Sequence, residues 1–136
     1  MNDTDLIKIA FKAQKNAKAT FSHFRVGAAI LTCDNQIFSG CNIESSSYGL
    51  SVCAERVAVF KAVSEGFIDF KAIAIVSDAD ELCPPCGACR QVLWDLARDI
   101  DIILAQSVND YRVQKLSSYF PYAFDNTFLD ENKQKS

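Results

Sequence analysis

The sequence predicts a layered α/β fold in one domain, and three observations carry that prediction. Beyond residue 50, strand-length apolar runs alternate with helix-length stretches, a pattern that needs at least one parallel strand pair. The run Ala72-Ile73-Ala74-Ile75-Val76 is continuously apolar, as a strand covered on both faces is. The chain has 136 residues, 49% of them hydrophobic and 23% charged, the balance of a soluble globular domain. That length lets folding bury roughly two-thirds of the unfolded surface. One domain spanning 1–136 is expected, with a frayed polar tail from about residue 129.

Residues 5–18 carry Leu6, Ile9, Ala10, Ala13 and Ala17 at helical spacing, with Asp3, Thr4 or Asp5 to cap the start. Phe24 to Cys33 and Ile37 to Cys41 read as a hairpin broken at Asp34-Asn35-Gln36. Ser45 to Gly49 is a loop by composition. A helix is expected from about Val52 to Glu65, closed by Gly66. So few polar residues interrupt it that it should be buried on most sides, as a central helix or one shared with another subunit. Phe70 to Ser77 is a strand. Asp78 to Pro85 is a loop whose acids Asp78, Asp80 and Glu81 read as solvated surface. Gly87 to Arg98 is a helix and Asp101 to Ala105 a strand. Six of the fifteen aromatic residues then crowd between Tyr111 and Phe128, a cluster that must pack on its own domain or on a neighbour. Trp94 reads as core.

Net charge is −3, without a Lys/Arg cluster, so nucleic acid is not an expected partner. No apolar run reaches the ~20 residues of a membrane span, and the acidic start Met1-Asn2-Asp3-Thr4-Asp5 is unlike a secretion signal. A cytoplasmic protein is expected. A reducing compartment disfavours disulfides, so the six cysteines need another explanation.

Cys53 stands at the start of one predicted helix; Cys83, Cys86 and Cys89 surround the start of another. Helix N-termini favour thiolate over thiol. Cys86 and Cys89, three apart, share a helix face and with Cys53 supply three metal ligands. Three protein ligands and an open fourth position describe a catalytic zinc. Glu55, two residues beyond Cys53, is then placed to serve as general acid/base on a water that zinc makes acidic. Three thiolates and Zn²⁺ sum to −1, and Arg56 can offset that charge. A closed four-thiolate structural zinc that includes Cys83 stays open, as does an iron–sulfur cluster. Cys33 and Cys41 read as small core residues. His23 reads as surface or packing rather than ligand.

Cys53-Ala54-Glu55-Arg56 followed by Pro85-Cys86-Gly87-Ala88-Cys89-Arg90-Gln91 matches the zinc-deaminase signature in its all-cysteine form. With Phe24-Arg25-Val26-Gly27-Ala28-Ala29, Gly40-Cys41-Asn42-Ile43-Glu44 and Phe60 to Gly66, the chain resembles the small homotetrameric cytidine deaminases of pyrimidine salvage. The match runs from the first helix to about residue 105.

The resemblance implies a three-layer α/β/α domain around a five-stranded mixed sheet, with one Zn²⁺ per subunit on Cys53, Cys86 and Cys89. It implies hydrolytic deamination of cytidine and 2′-deoxycytidine, with Glu55 as proton shuttle. Asn42 and Glu44 fall where the family holds the ribose hydroxyls, Phe24 where an aromatic lies beside the base, and Ala54 among the substrate-contacting residues. Tyr48 and Phe124 match residues that reach a neighbouring subunit's site in a homotetramer. Glu44 adds a physical point: its charge would repel a 3′-phosphate, which favours free nucleoside over polynucleotide.

Three departures stand out. Thr20-Phe21-Ser22 replaces the family's Pro-Tyr-Ser, and Cys83-Pro84 stands where Ser often precedes Pro85. Larger than either is the third, the segment from Asp110 to Phe128, which bears on the cross-subunit contacts. The rival readings are a deaminase of another free cytosine nucleoside, such as blasticidin S, a polynucleotide-editing deaminase, and a non-catalytic structural zinc module.

Overall fold

The computed structural model describes residues 1–129. The expected polar tail lies, from residue 130 onward, outside the described residues.

Chain order is α1 (Asp3–Gln14), β1 (Val26–Thr32), β2 (Ile37–Cys41), α2 (Ala54–Ser64), β3 (Phe70–Ser77), α3 (Gly87–Ala97), β4 (Asp101–Ser107), β5 (Asp110–Lys115) and a short α4 (Leu116–Tyr119). Tyr48–Leu50 and Asn126–Leu129 form single 3₁₀ turns. The strands form one sheet in the order β2-β1-β3-β4-β5. β3 and β4 are parallel and every other neighbour pair is antiparallel, so the sheet is mixed. The parallel pair is the one joined through α3, as a crossover requires.

The period-2 geometry of strands explains why the central ones are apolar throughout. Ala29, Leu31, Ala72, Ala74, Val76, Ile103 and Ala105 face Leu6, Ile7 and Ala10 of α1. Ala28, Ile30, Ile73, Ile75, Ile102 and Leu104 face the opposite way, onto α2 and α3. The three-layer α/β/α architecture expected from the resemblance is what the chain adopts. Two glycines set the layer spacing. A Cβ on Gly27 would lie 2.1 Å from the Ala10 carbonyl oxygen, and one on Gly40 would lie 2.7 Å from the backbone of Ala54 and of Ala58. Glycine at these positions lets α1 and α2 sit directly on strand backbone.

Several sequence expectations need correction. α1 ends at Gln14 rather than residue 18, and its cap is Asn2, whose Oδ1 accepts from the Asp5 N–H at 2.9 Å. α2 begins at Ala54, because Val52 is drawn into a bridge with Ile43. Within one chain α2 buries a single face through Ala54, Ala58, Val59 and Ala62, and Phe60 is 45% exposed. β5 escapes the sequence reading, since all six of its residues are exposed and its alternation rests on Tyr111 and Val113 alone. Cys33 lies exposed in the hairpin turn rather than in the core, while Cys41 is half-buried. The turn passes through Asn35 in the left-handed region (φ 64°). Trp94 is half-buried against the core, and its Nε1 donates to Asp125 at 2.9 Å. Among the described residues no helix is long and apolar enough to cross a membrane.

Candidate active site

α2 and α3 each start on a cysteine. Cys53 is the N-cap residue of α2 and Cys86 that of α3, both extended and neither side chain capping its helix. The sulfurs are thus free to turn toward each other where the two helix starts meet. Cys89, in the first turn of α3 and fully buried, completes the group. The three Sγ atoms lie within 4.8 Å of one another, with Cys53–Cys86 at 3.7 Å and Cys86–Cys89 at 3.4 Å. Zinc–sulfur bonds of about 2.3 Å would set tetrahedral sulfurs about 3.8 Å apart, so the donor set fits Zn²⁺ in both chemistry and spacing.

Among the described residues no fourth Cys, His, Asp or Glu joins these three. Cys83 lines the adjoining cavity and stands outside the cluster, so the four-thiolate reading lacks its fourth ligand. Three thiolates with room for a fourth, non-protein ligand is the catalytic type of zinc site. His23, exposed with φ 58°, takes no part in it.

The titratable groups here are strongly perturbed. Hydrogen bonding from Cys89 outweighs burial and, with the Arg56 guanidinium, draws Cys53 down to about 5. The same bond to Cys53, together with burial, pushes Cys89 up. Glu55 is 4% exposed. Burial, added to by the negative charge on Cys53, raises its carboxyl to about 7 against the pull of its own backbone N–H. A carboxyl balanced near neutrality can both take and return a proton.

Arg56 bends back over the N-terminus of α2. Its Nη2 donates to the Ser51 carbonyl at 3.3 Å and to Cys53 Sγ at 3.7 Å, while its buried Nε has no hydrogen-bond partner among the described residues. The cation therefore lies against the sulfurs whose charge it is expected to offset.

A cavity of about 270 Å³ opens beside Glu55, Cys53 and Cys86, at the small end of the range for ligand pockets. Phe24, Asn42 and Glu44 line it, as the resemblance implies. Asn42 is already engaged: Oδ1 accepts from the Val26 N–H at 2.9 Å and Nδ2 donates to the Phe24 carbonyl at 2.8 Å. Glu44 Oε1 accepts from the backbone N–H groups of Phe21 and Ser22 at 2.9 and 3.0 Å, and Oε2 from the Ser22 hydroxyl. Those bonds hold its carboxyl below the usual carboxylate range. Ala54 is fully buried in the core cluster and its side chain does not line the cavity.

Tyr48 and Phe124 lie outside the cavity. Tyr48 is 73% exposed and meets Phe21 edge-on at 5.7 Å, while Phe124 is 55% exposed and stacked on Phe128 at 5.6 Å. Sequence reasoning misses Val26 and Ile75, which form the apolar wall. Both look like ordinary core strand residues. Their signal is position, since each stands at the strand end nearest the metal loop. Asp78 looks like a solvated acid in the sequence; in the fold it is bonded to Arg25 and Gln14.

A family model of the cytidine and deoxycytidylate deaminase zinc-binding region matches residues 1–104. The chain belongs to that family. This deaminase chain is 47% identical to a cytidine deaminase of Halalkalibacterium halodurans over 120 residues, 88% of this chain and 91% of the relative. Its fold matches a crystal structure of cytidine deaminase from Burkholderia pseudomallei with a TM-score of 0.87 at 42% identity, covering 91% of this chain and 100% of that one. A blasticidin-S deaminase of Bacillus cereus is more distant, 34% identical over 110 residues that cover 75% of this chain and 78% of the relative. The deaminase family is hydrolytic and zinc-binding, in keeping with the three-cysteine cluster and the buried Glu55.

Proposed function

We propose that the chain converts cytidine and 2′-deoxycytidine to uridine and 2′-deoxyuridine with release of ammonia, as a cytoplasmic step of pyrimidine salvage. One observation carries this reading: a buried carboxyl, Glu55, lines a small cavity that also exposes two cysteines of a zinc-fitting cluster. A structural zinc module has no use for that carboxyl. Bound to Cys53, Cys86 and Cys89, zinc supplies a Lewis acid that makes water nucleophilic near neutrality.

Glu55 does the proton work. It takes a proton from the attacking water and delivers it to N3 of the cytosine ring as oxygen bonds to C4. It then removes the hydroxyl proton of the adduct and passes it to the amino group, which leaves as ammonia while C4 becomes a carbonyl. Burial excludes bulk water from these transfers. Phe24 and Val26 supply an apolar face for the base, and Asn42 and Glu44 offer polar atoms for the ribose hydroxyls. Glu44, held ionised by its donors, repels a 3′-phosphate.

We assign the activity to a homotetramer with one zinc per subunit. In that assembly Tyr48, Phe124 and the outer face of α2, each exposed in the single chain, meet neighbouring subunits.

Mixing the protein with cytidine should abolish the cytosine ultraviolet band, and a chelator-stripped sample should leave it intact. An unchanged spectrum from zinc-loaded protein would reject the reading, and turnover of blasticidin S in the same assay would replace it.

A further inference from the structure

The backbone just before β1 is held almost entirely by side chains. Phe24 and Arg25 precede the ladder, which begins with Val26 opposite Ser77. The Phe24 N–H donates to the Ser22 hydroxyl at 3.0 Å, and Asn42 takes the Phe24 carbonyl and the Val26 N–H. The residue between them is gripped from elsewhere. The Arg25 N–H donates to Asp78 Oδ2 at 2.8 Å, and the Arg25 carbonyl accepts from the Asp78 N–H at 3.1 Å. This exchange prolongs the β1–β3 ladder by one pair, with a carboxylate oxygen in place of a carbonyl. Gln14, at the end of α1 and 9% exposed, braces it: Nε2 donates to the Arg25 carbonyl at 3.1 Å and to Asp78 Oδ1 at 3.3 Å.

Strand geometry gives this grip a consequence at the cavity. Residues i and i+2 share a face, so Phe24 and Val26 both reach the cavity while Arg25 turns away from it. Asp78 also opens the loop that leads through Cys83 and Pro84, both lining the cavity, to the ligand Cys86. A single carboxylate thus ties the aromatic wall to the start of the metal loop.

We infer that Asp78, braced by Gln14, is a positioning residue that sets the Phe24–Val26 wall of the substrate cavity by gripping the backbone of Arg25. The inference rests on the proposed deaminase reading, in which that wall receives the cytosine base. We assign the role to the backbone grip rather than to the bidentate Arg25–Asp78 side-chain pair, whose Nε–Oδ2 and Nη2–Oδ1 contacts are both 3.0 Å between side chains 53% and 28% exposed, where water screens them. Arg25→Ala removes both side-chain contacts and leaves the Arg25 N–H bond to Asp78 Oδ2 in place, so the two contributions are separable.

The test compares three variants of the zinc-loaded chain. Asp78→Ala should raise KM for cytidine about tenfold and hold kcat within about threefold, at one zinc per chain. Asp78→Asn keeps one acceptor oxygen for the Arg25 N–H and should recover part of that loss. Arg25→Ala removes the ion pair, keeps the backbone grip, and should stay within about twofold of the starting KM. Amide hydrogen exchange is the second readout. Asp78→Ala should speed exchange selectively across residues 24–26, whereas global destabilisation would speed it throughout.

An unchanged KM in Asp78→Ala, or an equal rise in Arg25→Ala, overturns the inference. A parent chain that leaves cytidine untouched would reject the proposed function instead. The exchange contrast between Asp78→Ala and Arg25→Ala would then decide the grip by itself, and equal local exchange in both would overturn it.

Discussion

The two helix starts that build the metal site use the same local design for different ends. α2 and α3 both begin on an extended cysteine, and each has an arginine in its first turn or just beyond that folds back over the start. Arg56 turns toward sulfur and lies against Cys53. Arg90 turns toward oxygen: Nε donates to the Pro85 carbonyl at 2.8 Å and Nη1 to the Tyr119 carbonyl, also at 2.8 Å. One arginine therefore sets its cation against a sulfur of the ligand set, and the other latches the metal loop to the segment after β5. Gln91 and Trp94 of α3 extend the latch by bonding the Phe124 carbonyl and Asp125. The lesson is that an arginine folded back over a helix start takes its role from the acceptors it meets there, sulfur for Arg56 and carbonyl oxygen for Arg90.

Removing a sulfur should have the largest effect and should not distinguish the two starts. Cys53→Ala and Cys86→Ala are each expected to drop zinc, measured by elemental analysis, from one per chain to near none, with deamination abolished. Glu55→Gln separates α2 from α3. It should keep one zinc per chain and lower kcat by about 10³-fold, within the range for loss of a general acid/base.

The arginines give the sharper contrast. Arg56→Ala should weaken zinc binding about tenfold in a chelator competition and lower kcat with it, as loss of a group bonded to a metal ligand does. Arg90→Ala should leave zinc affinity within about threefold and instead cost about 1–3 kcal/mol in denaturant unfolding, the toll of two half-buried carbonyls losing a cationic donor. Equal effects of the two substitutions on zinc affinity would erase the distinction between the starts. The smallest effect is expected at Cys83→Ser, which should keep one zinc per chain. A large loss there would restore the four-thiolate centre.

Much of the site is legible in the amino-acid sequence. Cys53, Glu55, Arg56, Cys86 and Cys89 sit within a few residues of two helix starts. Short-range spacing therefore sets which face each presents, and a helix N-terminus brings its own polarity. The layered fold is legible for a similar reason, since continuous apolar runs such as residues 72–76 describe a strand covered twice. β5 leaves no such trace, because an exposed edge strand is stabilised by its hydrogen-bonded neighbour and Asp110 to Lys115 need no apolar pattern. Cys33 misleads because a small apolar side chain next to a strand looks like core until the turn geometry is known.

By itself the sequence determined the three-cysteine donor set, the place of Glu55 beside it and the α/β layering, all properties of residues close together along the chain. Only the tertiary structure decided what Asp78, Gln14 and Arg90 do. Gln14 lies 64 positions from Asp78, and Arg90 lies 29 from Tyr119. A polar side chain's role depends on which partner the fold delivers to it. Hydrogen bonds form only within about 3.5 Å and screened charges fade beyond about 10 Å, so that choice is made only when the layers close.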